Sequence, residues 1–103
     1  MMKYLGRMAG NAQITQDGLP VGRASYDFEG FAGPKGRIVS SGEIKSTPAE
    51  LKIVFGQRGV RLVTDDGRLL NLSFSDRVRG AANDVAHVEV TGDLPDTPAE
   101  WRS

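Results

Sequence analysis

His87 is the single histidine of the chain, and histidine is the side chain whose charge changes near neutral pH. A catalytic triad or a histidine metal site needs partners beside it. A lone histidine among the polar positions of a strand is more often a solvated residue. Asp65-Asp66-Gly67 brings two carboxylates together. A calcium loop of the EF-hand kind needs several oxygen ligands at fixed spacing and a closing glutamate, and both are missing. Asp-Gly is instead a strong hairpin signal, and Asp17-Gly18 repeats it earlier in the chain.

Two carboxylate pairs suggest acid–base work: Asp27 with Glu29, and Asp76 with Asp84. Such pairs need burial or apposition to separate their pKa values. Strand alternation puts Asp27 and Glu29 on an outward face, so a solvated face is the better reading. Gly30 to Gly36 is glycine-rich but lacks the Gly-Lys-Ser/Thr ending of a phosphate loop, and it reads as a turn. Lys35 and Arg37 near Phe31, and Arg58 and Arg61 near Phe55, offer cations beside aromatic rings, a combination used to hold single-stranded nucleic acid. Interleaved acidic residues weigh against that use. So does the balance of 13 basic and 13 acidic residues, because nucleic-acid modules carry a basic excess. Trp101, the one tryptophan, suits an edge of the core or an interface.

These residues support no catalytic group, no metal site and no cofactor, and the reading leans away from an enzyme. No cysteine is present, which removes disulfides and thiolate chemistry and accords with a cytoplasmic setting. The opening Met1 to Arg7 has no apolar run of the length a secretory signal or a membrane span requires. A soluble domain is therefore expected, with no membrane partner.

The elements that would position these residues come from an internal echo. Gly42 to Lys52 (GEIKSTPAELK) aligns with Gly92 to Arg102 (GDLPDTPAEWR), fifty residues later. Leu5-Gly6 matches Phe55-Gly56, and Gly30-Phe31-Ala32 matches Gly80-Ala81-Ala82, at the same spacing. Ile14 to Gly18 matches Val63 to Gly67 at one residue less, which calls for an insertion. A repeat of this length fixes architecture before any local reading. Two related halves, 1–52 and 53–103, follow. The first carries seven Lys/Arg against five Asp/Glu and the second six against eight.

Each half reads as three strands and a helix start. The first strand spans 3–15 with Tyr4, Met8, Ala12 and Ile14 inward. The second spans 21–31, with Ala24, Tyr26 and Phe28 on one face and Arg23, Ser25, Asp27 and Glu29 on the other. The third covers 37–44. Thr47-Pro48-Ala49-Glu50 starts a helix over 48–55, with Thr47 and Glu50 forming a reciprocal capping box. Strands at 60–64 and 69–74 flank the second Asp-Gly turn, and a loop fills 76–84. The last strand spans 86–91, with Ala86, Val88 and Val90 inward. Residues 98–102 restart a helix.

At 103 residues the chain is one domain, 1–103. The expected fold is mainly β, a small six-stranded antiparallel barrel with one or two short helices, because closure abolishes exposed sheet edges. A β-sandwich is the alternative. The function expected is a non-enzymatic protein-interaction or structural module, acting on a protein partner or as a homodimer. A small-ligand binder using the barrel interior or mouth is the alternative, and single-stranded nucleic-acid binding comes last.

Overall fold

The computed structural model describes residues 3–34, 37–55, 57–74, 84–92, 94–95 and 101. Six strands and one helix run in the order β1 Lys3–Gln16, β2 Leu19–Ala32, β3 Ile38–Lys45, α1 Pro48–Val54, β4 Val60–Thr64, β5 Leu69–Phe74 and β6 Val85–Gly92. The strands form one closed antiparallel barrel, β1-β2-β3-β6-β5-β4. It consists of two three-stranded meanders, joined where β1 meets β4 and where β3 meets β6.

Local chemistry explains the hairpins. Asp17 and Gly18 both take positive φ, 51° and 84°, as a two-residue turn matching the twist of its strands requires. The second turn is longer. Gly67 donates to the Thr64 carbonyl at 2.9 Å, and the Thr64 N–H closes the loop on the Arg68 carbonyl at 2.9 Å.

The inward positions are filled. Ala12, Ile14, Phe28, Ile44, Leu62, Leu70, Val88 and Val90 are all buried, and Leu51 and Val54 of α1 join them from one end. Fully burying one such aliphatic or aromatic side chain contributes about 1.5–3 kcal/mol before entropy is counted. The two ends of the barrel are covered differently. α1 lies over the end where β2 and β6 begin, with Phe55 edge-on to Phe74 at 5.4 Å. At the other end the Trp101 indole lies against Gly30 and donates to the Pro95 carbonyl at 2.9 Å.

Several expectations are corrected. Tyr4 points outward and is half exposed, edge-on to Phe31, because Leu5 is an extra residue between the pairs Tyr4↔Phe31 and Gly6↔Gly30. A bulge of this kind reverses the inward–outward count upstream of it. The Thr47 hydroxyl does cap α1, accepting the Glu50 N–H at 3.2 Å. The return bond of the capping box is not made: the Glu50 carboxylate takes the Ser46 hydroxyl instead. β2 continues to Ala32, so Gly30-Phe31-Ala32 is strand and the turn begins at Gly33. The loop 76–83 and the second helix start, 98–100 and 102, lie outside the described residues.

The repeat also changes phase. Ile14 is buried while its match Val63 is 40% exposed, so the spacing of one residue less sets them on opposite faces. At the full spacing of fifty, Ala12, Ile14, Ser40 and Leu51 correspond to Leu62, Thr64, Val90 and Trp101, all buried.

Candidate functional site

β1 has 14 residues and its neighbour β4 has five. Pairing covers only Ala12 to Gln16 of β1. One further bond, from the Asp65 N–H to the Asn11 carbonyl at 3.1 Å, ends the contact. Upstream of it, among the described residues, no strand pairs with β1 on the side away from β2. The result is a notch of about 440 Å³ at the barrel mouth, lined by Arg7, Met8, Ala9, Tyr26, Asp66, Arg68 and Pro95.

Each wall is held in place. The Arg7 guanidinium forks onto Asp27 with Nε–Oδ1 2.6 Å and Nη2–Oδ2 2.5 Å, which lowers the Asp27 pKa and raises that of Arg7. On the opposite wall the Thr64 hydroxyl donates to Asp66 and accepts the Arg68 N–H at 2.8 Å. Arg68 Nε lies 3.7 Å from Asp66, and Arg23 holds Asp65 at 2.8 Å. The charged side chains of the β4–β5 turn thus have partners on their own wall.

Tyr26 forms the floor. Its ring lies over Gly10, where a Cβ would stand 3.0 Å from the hydroxyl, and it stacks on Phe28 at 5.2 Å. The residue is only 7% exposed, and among the described residues nothing hydrogen-bonds its hydroxyl. Burial raises its pKa, with the Asp66 charge adding to the effect. The site offers backbone groups, one unpartnered hydroxyl, two guanidinium groups and one carboxylate, which suits hydrogen-bonded recognition. Among the described residues it holds no nucleophile–base pair, and no group of three metal-ligating side chains occurs.

The residues singled out in the sequence lie elsewhere. His87 is exposed on β6 and faces Glu43 across the ladder, Nε2–Oε2 3.4 Å. Asp27 and Glu29 point outward, where Asp27 serves Arg7. Asp84 accepts the Ser46 N–H through its carbonyl and lies 3.7 Å from Lys45; Asp76 lies outside the described residues. Phe31 and Arg37 share a shallow outer groove with Val39 and Glu89, while Lys35 lies outside the described residues. Arg58 and Arg61 are exposed. Trp101 is buried within its own chain, so it provides no surface for a second copy.

Of the notch residues, Asp66 drew notice in the sequence as a turn, and Met8 and Tyr26 as core. A signal was available: a first strand of 3–15 beside a fourth of 60–64 must leave much of its edge unpaired. Among the described residues no helix is long and apolar enough to cross a membrane. Compared with protein-family models, curated proteins and solved structures, the chain matches none.

Proposed function

We propose that the chain is a non-enzymatic protein-interaction module whose contact surface is the free edge of β1. The observation that carries this is that β1 outruns its neighbour β4 and leaves the backbone of Arg7 and Ala9 without a strand partner, among the described residues, beside a notch. Among the described residues the inward positions are filled by apolar side chains, which favours a partner at the surface. Small-ligand binding at the mouth is the second reading, favoured by the buried Tyr26 hydroxyl. A second copy of the chain is one partner this function admits, and a cytoplasmic setting accords with the lack of cysteine.

We also infer that the barrel arose by duplication of a strand–strand–strand–helix unit. The buried positions that correspond at a spacing of fifty, and the two equivalent meanders, support it.

The function is tested by crosslinking the full chain in lysate of its native cell and identifying captured proteins by mass spectrometry, with light scattering to detect self-association. The reading expects a protein bound by the native chain and lost when the β1 edge is blocked. A chain that captures no protein and stays monomeric, yet retains a small metabolite, would sink it.

A further inference from the structure

The bond from the Asp65 N–H to the Asn11 carbonyl sets the phase of β1. In an antiparallel ladder alternate residues direct both backbone groups to the same side. The odd-numbered residues Asn11, Gln13 and Thr15 therefore address β4, and the even-numbered ones address β2. By the same alternation the N–H and C=O groups of Arg7 and Ala9 point into the notch. Among the described residues no strand meets them there. The floor beneath them is Tyr26, a residue only 7% exposed whose hydroxyl has no hydrogen-bond partner among the described residues. An arriving acceptor gives this hydroxyl the hydrogen bond it lacks.

The far wall carries Asp66 and Arg68, one charge of each sign. Neither a phosphate nor a polycation is favoured by such a wall. A row of alternating donors and acceptors on a strand edge matches another backbone. We propose that the notch takes a short extended peptide segment of a partner protein. The segment adds as a strand to β1 at Arg7 and Ala9, with one of its acceptors on the Tyr26 hydroxyl. This rests on the interaction-module reading.

The surroundings narrow the occupant. The β4–β5 turn stands as the opposite wall, and about 440 Å³ admits a few residues but not a second barrel. The bulge at Leu5 bounds the usable edge on its upstream side.

The probe is a linear heptapeptide selected by panning a phage-displayed random library against the full chain. Its affinity is compared among the native chain, Ala9→Pro, Ile53→Ala and Tyr26→Phe. Proline removes the Ala9 N–H and fills the edge, while Met8 before it already has the extended backbone that proline requires. Ala9→Pro is expected to weaken the peptide at least about tenfold. Tyr26→Phe is expected to weaken it about two- to tenfold, the worth of one hydrogen bond. Ile53→Ala, exposed on α1 at the opposite end of the barrel, stays within about twofold of the native chain.

Amide hydrogen exchange on the unmodified chain needs no variant, and the peptide should slow exchange at Arg7 and Ala9. If Ala9→Pro does not fold, this measurement decides alone. No peptide selected, unchanged affinity in folded Ala9→Pro, or slowed exchange elsewhere overturns the proposal. A peptide or lysate protein bound away from β1 overturns the notch but leaves the module reading standing. Failure of both the panning and the lysate capture overturns both.

Discussion

Gly30→Ala tests how the second barrel end is closed. Gly30 is buried, and a methyl placed there would stand 2.5, 2.6 and 2.7 Å from three carbons of the Trp101 ring. Real carbon contacts do not come so close, so the ring must move. The indole cannot simply swing aside, because its N–H is bound to Pro95 and the residue is 5% exposed. A ring that shifts within its place costs about 1–3 kcal/mol, as overpacking usually does. A ring expelled to solvent costs about 3–5 kcal/mol, the usual loss on removing a buried Trp. Either is a large share of the roughly 5–15 kcal/mol that holds a domain folded.

Trp101 is the only tryptophan, so its fluorescence reports this end of the barrel directly. Urea melts of the native chain, Gly30→Ala, Trp101→Ala and the double variant form a cycle. In the Trp101→Ala background the added methyl should cost little, which makes the two changes strongly non-additive. The emission of Gly30→Ala should shift to the red if the ring is expelled. Strict additivity, or a Gly30→Ala chain as stable as the native one with unshifted emission, would refute the reasoning.

Gly42→Ala should be worse still, because its methyl would meet the Asp27 carbonyl and the Phe28 Cα, backbone that cannot turn away; loss of a cooperative melt is expected. By contrast the methyl of Gly22→Ala meets first the Glu50 carboxyl group, the far end of a flexible side chain, and should leave thermal melting close to native. Thr47→Ala should cost about 1 kcal/mol in urea melts through loss of the α1 cap; the equivalent Thr97 lies outside the described residues. In a Tyr4→Phe background, ultraviolet titration should find the Tyr26 phenol ionising above the ordinary tyrosine range. The stability tied to that shift is complete below the unfolded tyrosine pKa of about 10 and is lost as pH rises through the folded value. Ionisation at or below the ordinary value would contradict the burial of the ring.

The barrel was legible in the sequence because alternation and turn chemistry are local. Ala24, Tyr26 and Phe28 on β2, and Ala86, Val88 and Val90 on β6, point inward as their spacing requires. Tyr4 was misread because one bulge residue, Leu5, shifts the count, and nothing in the composition marks it. Ile14 and Val63 resembled each other because Asp-Gly turns impose similar neighbours, although the two hairpins differ in loop length. The Ser46 hydroxyl won the Glu50 carboxylate from the Thr47 N–H, a choice that depends on where β3 ends. The notch is a relation between a long strand and a short one. Arg7, Tyr26 and Arg68 are far apart in the chain, and only the β1–β2 and β1–β4 registers bring them together.

The two seams of the barrel also bear on how it is built in time. The β1–β2 hairpin joins neighbours through a two-residue turn and can zip from that turn outward. The β1–β4 and β3–β6 seams instead join residues about half the chain apart, so their loops must close before any contact rewards them. A barrel with both seams non-local belongs among the slower two-state folders, in the range of milliseconds to seconds. Until the seams close, the long β1–β2 hairpin presents the edges of both its strands to other nascent chains. The charges of Lys3 and Arg7 and the bulge at Leu5 lie on that hairpin, where they discourage misassembly during the interval.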